Sequence, residues 1–262
     1  MEFAAEGPFK KGYDGSYLIN YRYSSFALMD QLNFEISQNA LPNYQDLSYK
    51  INLPTKRAGT FSLWAIGGMG DDDEKYLPDS TTSENPENGY RDYTRTGMYA
   101  MGLSHTIFPD DQSYLKTVVS HSMSGSTNHY YQMDSLGILH TNWYDEMQNK
   151  AFRISTLYNR KVSSKHTLRA GLIYNNLNYS YFAEQAEADW TLSPVLNSDG
   201  STMLFQGYLQ GKYKFTEKVL MTAGLHYAYF HQSRDHSLEP RLGLQIELVT
   251  KQFSNNNPSF AN

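Results

Sequence analysis

The stretch Phe205-Gln206-Gly207-Tyr208-Leu209-Gln210-Gly211-Lys212-Tyr213-Lys214-Phe215 decides the fold. Phe205, Gly207, Leu209, Gly211, Tyr213 and Phe215 fall on one face of an extended chain. Gln206, Tyr208, Gln210, Lys212 and Lys214 fall on the other. Strict period-two alternation of this kind specifies a strand with one apolar and one wet side. After a short turn, Val219, Met221, Ala223, Leu225, Tyr227 and Tyr229 continue the apolar face on a second strand, whose other face is less polar.

The same pattern recurs along the chain. Phe152, Ile154, Thr156 and Tyr158 oppose Arg153, Ser155 and Asn159. Leu168, Ala170, Leu172 and Tyr174 oppose Arg169 and Asn175. Tyr17, Ile19, Tyr21 and Tyr23 oppose Asn20 and Arg22, and Leu47, Tyr49, Ile51 and Leu53 oppose Ser48, Lys50 and Asn52. Leu242, Leu244, Ile246 and Leu248 oppose Arg241, Gln245 and Glu247. Thr60–Gly68, Gly97–Phe108 and Tyr114–Met123 are apolar on both faces, as expected where a plug fills a lumen and equally for part of a soluble core. The whole reads as an all-β antiparallel meander of about eleven strands, the strand count being a pattern reading.

Connection lengths sort by position. Tight turns are predicted at Phe9–Gly15, Pro54–Gly59, Pro109–Gln112, Lys161–Lys165 and Thr216–Lys218. Long polar loops are predicted at about Ser25–Tyr44, Gly70–Thr94, Ser124–Asn149 and Phe182–Thr202. Short turns at one end and long loops at the other are the habit of a barrel that crosses a bilayer. Phe9, Tyr13, Tyr17, Phe61, Phe108, Tyr114, Tyr213 and Phe215 cluster beside the short turns, where an aromatic girdle belongs.

Composition agrees. With 22 Tyr and 13 Phe among 262 residues, the chain suits strands and a membrane boundary. Mean hydropathy is −0.60 and no apolar run reaches the ~18 residues of a spanning helix. That excludes a helical membrane protein but not a barrel, whose strands need only about 9–11 residues with every second one apolar. The net charge of −5 argues against a nucleic-acid partner. The absence of cysteine removes disulfides and thiolate metal sites. Met1–Pro8 carries neither a basic nor an apolar leader region, so the expectation is a cytoplasmic protein or an internal piece of a longer exported chain.

Three segments carry a family resemblance: Glu6-Gly7-Pro8-Phe9-Lys10-Lys11-Gly12-Tyr13-Asp14-Gly15-Ser16-Tyr17-Leu18-Ile19-Asn20-Tyr21-Arg22-Tyr23-Ser24; Pro42–Lys50 with Gly59-Thr60-Phe61-Ser62-Leu63-Trp64; and Ser237-Leu238-Glu239-Pro240-Arg241-Leu242-Gly243-Leu244. Together they resemble the barrel of TonB-dependent outer-membrane receptors, in the subgroup with a carboxypeptidase-regulatory-like N-terminal domain. The resemblance implies part of a plugged barrel of about 22 strands in the bacterial outer membrane, importing a scarce or large nutrient. Residues 1–252 would supply about strands two to twelve, and 253–262 a disordered polar tail. The implied partners are outer-membrane lipid, a plug and the remaining barrel strands; TonB would be reached only through the plug. Two other readings stay open: a complete small porin-like or adhesin-like barrel, and a soluble β-sandwich, either a carbohydrate-binding module or an enzyme.

No catalytic constellation is visible. Ser122-Met123-Ser124-Gly125-Ser126 is not a nucleophile elbow, and no phosphate-binding glycine loop appears. Asp71-Asp72-Asp73-Glu74 lacks the calcium-loop spacing and reads as a solvated acidic loop. The eight histidines show no ligand spacing, which points to structural or lumen-facing roles. No cofactor or metal is called for. The candidate ligand-facing loop residues are Asp71, Asp72, Tyr90, Trp143 and Trp190.

Overall fold

The computed structural model describes residues 1–25, 43–76 and 89–247. They form one eleven-stranded sheet in which each strand pairs antiparallel with its neighbours in sequence. The strands are β1 (Glu2–Pro8), β2 (Ser16–Ser25), β3 (Asn43–Pro54), β4 (Thr60–Tyr76), β5 (Tyr90–Asp110) and β6 (Ser113–Met133). There follow β7 (Leu139–Lys161), β8 (His166–Ala186), β9 (Leu192–Lys214), β10 (Val219–Phe230) and β11 (Asp235–Ile246). The sheet does not close: β1 and β11 stand at its two edges.

The register joins the apolar positions into continuous rows. One row runs Tyr17, Ile51, Leu63, Leu103, Val119, Ile154, Tyr174, Phe205 and Tyr229 across nine strands. Because partners across a ladder share a face, the expected apolar sides merge into one surface. These side chains remain exposed, as at Leu209 (52%) and Leu172 (68%). Among the described residues only Met133 and Ala183 are buried hydrophobics. A β-sandwich needs two sheets sealing an apolar core between them. One sheet with its Leu and Ile rows open on a single side excludes that alternative.

The opposite face is polar and more shielded. Ser62, Ser104, Asp145 and Asn175 all lie on it and all are buried. Arg153 Nε donates to Asn175 Oδ1 at 2.6 Å, and Ser62 Oγ to Asn52 Oδ1 at 2.6 Å. This is the inner surface of a curved wall. Glycines here admit aromatic rings lying across the neighbouring strand: Trp64 covers Gly102, and Tyr208 covers Gly171, where a Cβ would meet the ring at 2.8 and 2.4 Å respectively. The strands expected to be apolar on both sides do place Ile66 and Met98 inward, 58% and 66% exposed among the described residues.

The short turns fall where expected. Gly59 takes φ 79° between β3 and β4, where a Cβ would stand 2.1 Å from the Thr106 carbonyl oxygen. Of the rings expected to form a girdle at this end, Tyr17 (beside Phe9) and Tyr213 (beside Phe215) stand in outward rows, with centroids 5.6 and 4.5 Å apart in each pair. Phe108 and Tyr114, 6.3 Å apart, lie instead on the inner face, Tyr114 pairing with Asn159.

The predicted long loops are a correction. Most of their described residues are strand. β6 runs on to Met133 and β7 begins at Leu139, so only 134–138 connect them; 187–191 connect β8 to β9. The polar sequence of these regions reflects strands standing in water on both sides. The apolar band on β4 covers Phe61–Met69, and on β9 Phe205–Tyr213, close to the nine residues that span a bilayer. On β7 the band ends at Phe152, leaving Leu139–Ala151 beyond it. At about 3.3 Å per residue and a tilt near 40°, such an extension rises roughly 30 Å past the apolar zone. The predicted loop core 26–42, the segment 77–88 and the tail 253–262 lie outside the described residues.

Candidate ligand-facing site

The extensions of β4 to β8 form a tall inner wall, and strand alternation decides which side chains reach it. The run Asp71-Asp72-Asp73-Glu74 is not one acidic loop. Asp71 and Asp73 point outward with the apolar rows, while Asp72 and Glu74 point inward. Asp71 accepts from Asn43 Nδ2 at 3.4 Å, and Asp73 holds Arg91 through two hydrogen bonds at 2.7 and 2.8 Å. Arg91 keeps the Asp73 carboxyl below the ordinary carboxylate range, chiefly through that hydrogen bond.

On the inner side, register brings together residues far apart in sequence. Glu74, Asp92, Tyr130 and Trp143 form one cross-strand row. Tyr90 Oη donates to Glu74 Oε1 at 2.9 Å and its ring stacks on Tyr130 with centroids 6.2 Å apart. Trp143 Nε1 donates to Asp145 Oδ1 at 2.7 Å, Asn128 Nδ2 to Asp145 Oδ2 at 2.9 Å, and Thr94 Oγ1 to Asn128 Oδ1 at 3.0 Å. The Asp92 carboxyl is raised, first by burial, then by repulsion from Glu74, Asp72 and Asp145. The oxygen Oδ1 of Asp72 is shielded and has no hydrogen-bond partner among the described residues. Along β4 to β8 the inner positions of the extension hold no Lys or Arg.

Of the five candidate residues, Asp72, Tyr90 and Trp143 share this wall. Trp190 lies in the 187–191 turn with φ 65° and stacks on His140 at 4.7 Å. His140 pairs across the sheet with Gln132, itself opposite Tyr90, so Trp190 joins the rim of the same wall. Asp71 is the exception, turned to the outside. Glu74 and Asp92 are drawn in from the acidic loop, Asp145 from the region beside Trp143 and His140 from the scattered histidines, while Asn128 and Tyr130 carry no sequence signal of their own. The histidines divide: His140 and His226 face inward, but His105 and His121 lie in outward rows against Phe61 and Tyr99. No three of the described His, Asp or Glu side chains come together as a metal-binding group.

A single polar-lined, outwardly greasy meander of this length has the architecture of a transmembrane β-barrel wall. Comparison of folds agrees. The chain is similar to the ferric-catecholate import receptor Fiu of E. coli K12, with a TM-score of 0.63 and 12% identity, over 95% of this chain and 49% of that one. It is similar to the siderophore receptor PiuA of Acinetobacter baumannii, with a TM-score of 0.61 and 12% identity, over 93% and 43%. The outer membrane transporter YddB of Escherichia coli follows, with a TM-score of 0.52 and 10% identity, over 92% and 35%. The chain thus spans half or less of the length of these structures. No family model and no curated protein matches its sequence. The likeness to outer-membrane receptor barrels read from the sequence therefore holds at the level of the fold.

Proposed function

We propose that the chain forms part of the wall of a TonB-dependent outer-membrane import receptor. The observation that carries this reading is the continuous, mainly apolar outward surface, about nine residues tall, on a sheet whose inner face is mainly polar. In lipid, open strand edges leave backbone groups unsatisfied at several kcal/mol each, so the edges of β1 and β11 pair with further strands of the same barrel. The exposed inner side chains of Ile66 and Met98 pack on a plug, and TonB acts through that plug. The extensions of β4 to β8 line an external vestibule through which the nutrient passes. Their inward carboxylates favour neutral or cationic cargo over an anionic chelate. The role is binding and passage, not catalysis.

The chain lacks cysteine, so single cysteines can be spin-labelled one at a time along Phe205–Tyr213 in the membrane-inserted protein. Oxygen accessibility is expected to peak at 205, 207, 209, 211 and 213, and accessibility to a water-soluble nickel chelate at the positions between. Loss of that alternation, or its inversion, defeats the membrane-wall reading.

A further inference from the structure

The outward surface of β2 to β7 is not uniform. At its upper edge a groove of about 520 Å³ is cut into it. Its floor is Gly67 and Gly97, and its walls are Leu47, Met69, Tyr99 and Met123. A second hollow of about 260 Å³ continues it upward, sharing Met69, Gly97 and Met123 and reaching Arg95. The groove is therefore mainly apolar, with Gln45 at its side, and its upper hollow holds Arg95 together with Glu146 and Gln148.

Two cations stand at the level where the apolar band stops. Arg95 is the first charged outward residue above the band on β5, and Lys150 is the first on β7, paired across the ladder with Met123 of the groove wall. Both are exposed. Arg95 Nη2 reaches Met69 Sδ at 3.8 Å, tying the cation to the groove, and neither side chain forms an ion pair within the described residues. Two acids are near. Asp71 lies across the ladder from Arg95 and accepts from Asn43; Glu146 shares the Arg95–Thr127 row and lines the same hollow, where its oxygens accept from Tyr144 and Gln148.

We propose that this groove holds an acyl chain of an anionic outer-leaflet lipid, with Arg95 and Lys150 binding its phosphate. The inference rests on the membrane orientation proposed above. A mainly apolar trough ending near two cations without an ion pair among the described residues, beside a carboxylate whose oxygens already accept from Tyr144 and Gln148, is complementary to an acylated phosphate rather than to a neutral lipid. Charge-assisted contacts to phosphate are the stronger class of hydrogen bond, and Arg offers a fork that matches it. Glycine at position 97 is what keeps the floor open: a Cβ there would meet nothing closer than 3.9 Å, so a larger side chain would fill the trough without a backbone clash.

The test uses the protein purified from outer membranes in non-ionic detergent, incubated with dioleoyl phosphatidic acid or with dioleoylglycerol and examined by native mass spectrometry. Phosphatidic acid is expected to be retained at least ten-fold better. The Arg95→Gln/Lys150→Gln pair should erase that preference, and Gly97→Leu should reduce retention of both lipids. Equal retention by the unaltered protein, or a preference that survives the double substitution, overturns the proposal. If Gly97→Leu fails to fold, judged by heat-dependent gel mobility, the surface charge pair decides alone. The spin-label alternation along Phe205–Tyr213 reports separately on the membrane orientation, so failure of lipid selectivity and failure of the wall are distinguishable.

Discussion

The lower and upper parts of β4 to β9 are continuous strands in two different solvents. Along Phe61–Met69 the outward side chains are Phe, Leu, Ala, Gly and Met; a few residues further on they are Asp71, Asp73 and Lys75. The ladder to β5 does not change between the two, running unbroken from Thr60↔Thr106 to Tyr76↔Tyr90. What changes is the constraint on alternate residues. Lipid forbids charge on one face only, whereas water admits it on both. Backbone pairing and side-chain pattern are thus separable, and hydrophobic alternation reports the membrane, not the strand.

The sharpest way to break this comparison is to place the same charge at one face in both solvents. Leu209 is midway along the band on β9 and half exposed. Leu209→Arg is expected to cost about 2–4 kcal/mol of folding stability in a bilayer, the range for Arg near the midplane of a barrel's lipid face. Gln148→Arg puts the same side chain outward on the β7 extension. It should shift stability by no more than about 0.5 kcal/mol. Urea unfolding in phospholipid vesicles measures both, and equal costs would mean that the outward rows do not meet lipid.

This difference also explains what the sequence could show. In Phe205–Phe215 the alternation is strict because lipid lies on one side and the polar interior on the other, so strand, face and apolar span are all legible. In Ser124–Asn149 the strands continue but Gln148, Glu146, Asn128 and Asp145 occupy both faces. The period-two signal is absent there, and a loop is the natural reading. That error cost the site its geometry. Strand pairing, not chain proximity, sets Trp143 beside Tyr130 and Glu74 beside Asp92. Trp190 was visible as an aromatic but not its left-handed backbone, which a tryptophan rarely adopts.

Within the band, the inner face tests polar satisfaction. Asn175 is 2% exposed, accepts from Arg153 and donates to the Leu204 carbonyl at 3.5 Å. Asn175→Ala leaves a guanidinium without its acceptor and is expected to cost about 1–3 kcal/mol. Thr94→Ala, its counterpart in the extension, leaves Asn128 still donating to Asp145 where water can reach. It should cost less, about 0.5–1 kcal/mol. The two unfolding midpoints sharpen the comparison by showing how dry the inner face is at each height, and a larger loss at Thr94 would reverse it.

The smallest effect concerns charge alone. Asp92 is held above its ordinary range by burial and by Glu74, Asp72 and Asp145. A carboxyl raised in the folded wall binds its proton more tightly there than in the unfolded chain. Between the unfolded value near 3.9 and the folded one, folding takes up a proton, so this group's contribution to stability falls as pH rises. Above the folded value the full penalty remains. Asp92→Asn removes it, and the variant should be more stable than the parent at pH 8, with the gap closing as pH falls towards 4. Asp73 sets the opposite sign on the outward face: its carboxyl is lowered by Arg91, so its contribution is present at neutral pH and lost on acidification through the lowered folded value. Asp73→Asn should therefore be slightly less stable at pH 8, by no more than about 1 kcal/mol for an exposed pair. Opposite responses at Asp92 and Asp73, one residue type on two faces of one extended hairpin, follow only if alternation persists beyond the membrane. Matching responses would mean that this stretch is not strand.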